Sequence, residues 1–350
     1  MVEVVTSNRA TLPVRSLGRK GSPISVLGLG GAPLGDLFER LPEQRADAVV
    51  QAALDAGITC FDTAPWYGHG LSEHRLGRGL RQIDRKSVFV STKVGRLYRR
   101  PAHPATFSTA PWAGGLPFEL HFDYTSAGIQ RSYEDSLLRL GLNRIDCLVI
   151  HDLDPGYHAG TELDRRRAEL EKGGWAALET LRSNGEISAI GAGINDRSMM
   201  RYFLERFDID FFLVAMPYTL LDQSPLHEEF AECQKRGIDI IIGSPYASGI
   251  LATGPVPGAM YNYHPADAFI VEKTRRIAAI CAEFHVSLQA AALQFPLAHP
   301  SVRAVIPGAT SPEIVAANVA NVRQVIPAAF WSALKVRGLL HPDAPAPEGP

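Results

Sequence analysis

Cys60-Phe-Asp-Thr-Ala-Pro-Trp-Tyr-Gly-His-Gly-Leu-Ser-Glu-His-Arg-Leu76 is the stretch whose reading decides the fold. Cys60 to Ala64 reads as a short apolar strand, and Pro65 ends it because proline cannot donate to a sheet ladder. Trp66 and Tyr67 follow on a loop that Gly68 and Gly70 allow to turn sharply. Ser72 stands in N-cap position for a helix to about Leu80, with Glu73 in its first turn. An acid, Asp62, therefore lies at a strand end, a phenol, Tyr67, lies five residues on, and a helix stands behind both.

The same strand-then-helix unit recurs on either side. Glu43 to Ala56 has helical periodicity and stops at Gly57. Val88 to Val94 is the next strand, followed by a helix over 125–140. Strands at 145–151, 187–194, 211–216, 238–243 and 302–307 alternate with helices at 164–183, 197–206, 225–236, 267–284, 287–298 and 312–322. Counting from Ile24, eight units result, with short apolar strands of the kind buried on both faces of a parallel sheet. This alternation over some 250 residues predicts a (β/α)₈ TIM barrel as a single domain, 1–340. A short helix over 330–336 and a frayed tail after His341 close the chain, and a loose arm opens it. Gly28-Leu-Gly-Gly-Ala-Pro33 superficially matches a dinucleotide fingerprint, but its sixth residue is Pro33 and no helix starts there. Two long segments, 95–122 and 244–265, have no clear period and read as substrate walls or lids.

Composition narrows the function. Lys and Arg total 35 against 37 Asp and Glu, so no nucleic-acid or membrane surface is expected. No apolar run reaches the length of a membrane span and no signal peptide is read, so the expected compartment is the cytoplasm. Cys60, Cys147, Cys233 and Cys281 are widely spaced, which favours reduced buried thiols over disulfides or a zinc site. No metal is expected, and the partner is a small-molecule substrate.

In a barrel, the strand C-termini share one face, and catalytic side chains come from several strands. Asp62 and Tyr67, Lys93 and His151 fall at the ends of the second, third and fourth strands. Taken singly, each has a structural reading: a turn cap, a half-buried aromatic, a core histidine. Lys93 is the hardest to read so, because lysine is almost never buried unless paired. Adjacent strands lie about 5 Å apart, so the four can converge. A free tyrosine titrates near ~10, and a neighbouring ammonium favours its phenolate. Tyr67 is thus the expected acid/base, with Lys93 lowering its pKa, Asp62 orienting Lys93 and His151 bonding the reacting oxygen. A rival reading makes Lys93 a Schiff-base lysine.

Phe61-Asp62-Thr63-Ala64-Pro65-x-Tyr67-Gly68-x-Gly70-x-Ser72-Glu73-x-x-Leu76-Gly77, Ser91-Thr92-Lys93 and Ile145-Asp146-x-Leu148-x-x-His151 resemble the aldo-keto reductases. The resemblance runs from about Val14 to Val322 and implies a barrel using NAD(P)(H) without metal. It assigns Tyr67, Asp62, Lys93 and His151 as the catalytic set. It also places Asn195 against the nicotinamide carboxamide, and Ser244, Pro245, Gly249, Leu251, Pro307, Gly308, Ala309, Thr310, Ser311 and Asn318 along the cofactor. Helix amides after Ser311 would help to hold phosphate. Ala215 and Gly243 stand where the family commonly has Gln and a stacking Tyr. Gly308 and Ile314 stand where NADP-preferring members place Lys and Arg, so NAD is expected over NADP.

Phe122-Asp123-Tyr124-Thr125 and Ile150-His151-Asp152-Leu153-Asp154 resemble a bacterial subgroup of NAD-linked dehydrogenases acting on cyclic hemiacetals. The expectation is oxidation of an aldose such as L-fucose to its lactone, with pyridoxal as the alternative substrate. Trp66, His69, Trp112 and His121 are the candidate pocket walls. A carbonyl reductase or a non-catalytic cofactor-binding subunit ranks lower.

Overall fold

The computed structural model describes residues 12–349; most of the opening arm lies outside them. Eight parallel strands form one sheet in chain order: β1 (Leu29–Gly30), β2 (Cys60–Asp62), β3 (Phe89–Val94), β4 (Cys147–Ile150), β5 (Ala189–Ile194), β6 (Phe211–Val214), β7 (Asp239–Ile242) and β8 (Val302–Val305). Parallel bridges Leu27–Val305 and Gly30–Gly308 join the last strand to the first and close the barrel. The expected (β/α)₈ barrel is the observed architecture. One boundary differs: Ile24 belongs to an antiparallel hairpin, Val14–Leu17 with Ser22–Ser25, so the first barrel strand starts only at Leu29.

Strand periodicity sorts the core into two layers. Cys60, Phe89, Cys147, Val149, Phe211, Leu213, Ile241 and Ala304 pack together inside the barrel, and Leu17 and Ile24 of the hairpin join them. Phe61, Val90, Val94, Leu148 and Ile150 face outward into the helical layer. Because side chains alternate with period 2, Asp62, Lys93 and His151 share the inward face with Cys60, Phe89 and Cys147. Gly191 of β5 is required by this packing: a Cβ there would lie 2.4 Å from the Phe211 ring. All four cysteines are buried and free.

The helices follow the expected order with small changes of boundary. Thr125, Asp267, Ser287 and Ser311 cap four of them by accepting a backbone N–H. Ser72 is not an N-cap. The helix is Leu71–Leu80 after Gly70, and the Ser72 hydroxyl instead donates to Gly31 O at 2.7 Å, tying the helix to the end of β1. Both long segments contain hairpins, Arg96–Arg99 with Glu119–Phe122 and Met260–Tyr261 with His264–Pro265. After His341 the described chain still packs down, with Ala344 fully buried in the same core as Leu339 and Leu340. Among the described residues, no single helix is long and apolar enough to cross a membrane.

Candidate active site

Asp62, Tyr67, Lys93 and His151 meet at the C-terminal mouth of the barrel, on one wall of a cavity of about 680 Å³. Lys93 is buried to 1% side-chain exposure, and its Nζ donates to Asp62 Oδ1 at 2.5 Å and to Thr63 O at 2.8 Å. Ser91, one inward position below Lys93, donates to the same Asp62 oxygen at 2.5 Å. The register explains this meeting, because Asp62 pairs with Ser91 across β2 and β3. Lys93 Nζ also lies 5.6 Å from the centre of the Tyr67 ring. Opposite it, the His151 ring stands edge-on to Tyr67 at 6.0 Å.

Tyr67 differs from expectation in one respect. Burial pushes its phenol well above the ordinary value, the Asp62 carboxylate adds to that shift, and Lys93 does not reverse it. The Lys93 charge is spent on Asp62 and the Thr63 carbonyl. The phenol is therefore protonated in the protein alone.

His151 is held from three sides. Its backbone carbonyl accepts from the buried Tyr124 hydroxyl at 2.6 Å, its Nδ1 lies 2.9 Å from Arg96 NH1, and its Nε2 lies 3.5 Å from Asp152 Oδ2. Burial pushes its pKa down to about 3, with the Arg96 and Lys93 charges in the same direction and Asp152 opposing. The ring is neutral throughout the physiological range.

Arg96 and Asp152 were not among the residues singled out from sequence. Gly95, at φ 106°, reverses the chain after β3 and turns Arg96 into the site; a Cβ at Gly95 would lie 2.3 Å from Tyr124. The nearest sequence signal was its place three residues after Lys93, which a single sequence does not convert into a contact.

The rest of the cavity wall is largely aromatic and apolar: Trp66, Trp112, Tyr157, Tyr263, Phe38 and Met260 all line it. Trp66 meets Trp112 edge-on at 5.5 Å, and an antiparallel bridge to Leu37 pins Trp112. His69 and His121 do not line the cavity. His69 stands behind Trp66, its ring 5.3 Å away and its Nδ1 against Phe118 O, and His121 sits in the Glu119–Phe122 hairpin.

Away from the catalytic corner, the same cavity continues past Asn195, Ser244, Pro245 and Gly249 to Pro307, Gly308, Ala309 and Thr310. Three expected cofactor residues lie elsewhere. Leu251 is fully buried in the helical layer. Ser311 is occupied as a cap, accepting from Ile314 N. Asn318 is buried behind Tyr246, whose hydroxyl donates to its Oδ1 at 2.6 Å. At the helix start after Ser311, Pro312 has no N–H and Ile314 N is taken by Ser311. At Gly243, a Cβ would lie 2.6 Å from Leu213, so no larger residue fits without displacing that side chain.

Residues 26–336 match the model of the aldo/keto reductase family, and the chain belongs to that family. It is an oxidoreductase of a family that uses nicotinamide cofactors. It is 41% identical over 334 residues to pyridoxal 4-dehydrogenase of Microbacterium luteolum, covering 93% of this chain and 97% of that one. It is 38% identical over 320 residues to D-threo-aldose 1-dehydrogenase of a Pseudomonas species, covering 90% and 94%. Among solved structures, it resembles the holo form of an aldo-keto reductase from Bacillus halodurans. That match has a TM-score of 0.72 and 26% identity over 94% of this chain and 96% of the other.

Proposed function

We propose that the protein oxidises a cyclic hemiacetal to a lactone with NAD. The observation that carries this reading is the joining of two sites in one cavity: Tyr67, Lys93, Asp62 and His151 at one end, and Asn195 to Thr310 at the other. The cavity, about 680 Å³, runs without a break from the catalytic corner past Gly243 to Gly308, which suits an extended dinucleotide. When bound, oxidised nicotinamide supplies the hydride acceptor. Oxidation removes the hydride from the anomeric carbon and the proton from its hydroxyl. Tyr67 takes that proton, and the Lys93 ammonium, 5.6 Å from its ring centre, is the cation beside the phenolate that must form first. Neutral His151 donates to the reacting oxygen, and the aromatic walls exclude water.

The choice of NAD over NADP rests on the adenosine end. Ile314 lines the cavity without charge, and a side chain at Gly308 would run into Pro33, whose Cγ lies 2.6 Å from the Cβ position. The Glu313 carboxylate beside Ser311 adds a negative charge where a 2′-phosphate would need a positive one. Arg303 does not reach this end, because it pairs with Asp239 at 2.6 Å near the hairpin below the barrel.

Of the two substrates expected from sequence, we read the walls as favouring the alternative, pyridoxal. Trp66, Trp112, Tyr157 and Tyr263 line the cavity, and this aromatic wall suits the flat ring of pyridoxal. Each sugar hydroxyl buried without a partner would cost about 1–3 kcal/mol. The aldose remains the second reading because the chain is 38% identical to D-threo-aldose 1-dehydrogenase of a Pseudomonas species. Steady-state assay of pyridoxal and L-fucose, each with NAD and NADP, separates the two. A higher kcat/KM for L-fucose than for pyridoxal would overturn the pyridoxal preference.

A further inference from the structure

The least expected group in the site is the Arg96 guanidinium. It is 4% exposed, and burying such a charge is costly unless it is paired and fully bonded. Its NH1 donates to Asp152 Oδ2 at 2.6 Å and to His151 Nδ1 at 2.9 Å. The rings of Phe122, Trp66 and Tyr157 surround it, at 4.4, 5.0 and 5.0 Å from its central carbon. Asp152 is itself unusual, a non-glycine residue at φ 51° immediately after His151. Its second oxygen accepts from Asn195 Nδ2 at 3.3 Å. One carboxylate thus holds both the arginine beside His151 and the asparagine that lines the cofactor end of the cavity.

A guanidinium has donors only. Contact between Arg96 NH1 and His151 Nδ1 therefore requires a lone pair on Nδ1, and a neutral imidazole must then carry its proton on Nε2. The geometry points to Arg96 and Asp152 as a positioning pair that fixes His151 as the Nε2–H tautomer and ties its placement to that of Asn195. Arg96 acts through His151 and touches no reacting atom. An unbraced ring would populate both tautomers, and the Nδ1–H form presents a lone pair, not a proton, from Nε2. The arrangement also separates two functions: Lys93 and Asp62 act on Tyr67, while Arg96 and Asp152 act on His151.

This inference rests on the proposed role of His151, but its test does not need turnover. Imidazole ¹⁵N NMR of the full-length protein, with His151 assigned by loss of its signals in His151→Asn, reads the tautomer directly. The wild type is expected to show His151 protonated at Nε2 only. Arg96→Met, which removes the donor, is expected to give mixed tautomers. It should also lower kcat at least tenfold while NAD affinity changes less than twofold. Arg96→Gln retains an N–H donor and is expected to restore the Nε2–H signature and part of kcat. If the Met variant does not fold, Arg96→Gln and Asp152→Asn carry the test, with Asp152→Asn expected to loosen the tautomer and weaken NAD binding together. An Nδ1–H signal in the wild type, or an unchanged Nε2–H signature in a folded Arg96→Met protein, overturns the pairing. Tautomer loss without hemiacetal oxidation in any variant would leave the pairing standing and remove the proposed reaction instead.

Discussion

Lys93 Nζ lies 2.5 Å from Asp62 Oδ1, with the two side chains only 1% and 4% exposed. Removing either partner leaves a buried charge without compensation, which typically costs about 3–5 kcal/mol. Asp62→Ala is therefore expected to lower the stability of the whole barrel as well as its activity, measured by urea unfolding followed by circular dichroism. The double variant Asp62→Asn/Lys93→Met removes both charges and should recover most of that stability while remaining inactive. A double variant that loses the sum of what the two single variants lose would show that the pair is not coupled.

Tyr67→Phe keeps the ring that packs against Trp112 at 5.6 Å and removes only the hydroxyl. Turnover is expected to fall by at least about 10²–10⁴, the usual span for an acid/base group. NAD affinity, followed by quenching of protein fluorescence, should change less than twofold. Because burial holds the phenol above its ordinary value, oxidation should also accelerate as pH rises from 7 toward 10. A rate maximum near neutral pH contradicts this.

The convergence of Asp62, Lys93 and His151 was legible because they obey the simplest rule of the fold. Asp62, Lys93 and His151 sit at inward positions of consecutive strands, two residues on from Cys60, Ser91 and Val149, and strand ends converge in a closed barrel. Arg96 and Asp152 escaped because their placement depends on backbone reversals, at Gly95 and at Asp152 itself, that no periodicity announces. The wall assignment divided on the same ground. Trp66 and Trp112 face the cavity, whereas the φ of 53° at His69 carries that ring behind Trp66. Leu251 and Asn318 do not line the cavity, because the 244–265 segment folds into a short helix, Ile250–Thr253, and sets Tyr246 against Asn318.

His151 also carries a pH signature. The unfolded chain takes up its imidazole proton near the ordinary ~6.5, and the folded chain not until about 3. Between these values the unfolded state binds more protons, so this contribution to stability rises with pH and is lost as pH falls from 6.5 toward 3. The slope is at most about 1.4 kcal/mol per pH unit. Urea unfolding of wild type and His151→Asn from pH 7 to 4 should show a shallower loss in the variant. Parallel profiles would mean that His151 is not buried in its neutral form.

Cofactor preference should yield to one change. Ile314 lines the cavity and is 38% exposed, so a longer side chain there can extend into solvent, whereas a Cβ at Gly308 would meet Pro33. Ile314→Arg is expected to tighten NADP binding about tenfold, the scale of one added charge-assisted contact, with little effect on NAD. Titration calorimetry of both dinucleotides checks this. An NADP affinity already above that for NAD in the wild type would refute the adenosine-end argument.

One incubation decides whether this cavity oxidises cyclic hemiacetals: purified protein with NAD and pyridoxal, and in parallel with L-fucose, following NADH and identifying the organic product. The expected result is one NADH per molecule of lactone, absent from Tyr67→Phe. No NADH and no lactone from either substrate, in protein that binds NAD, would contradict the proposal that this cavity oxidises cyclic hemiacetals.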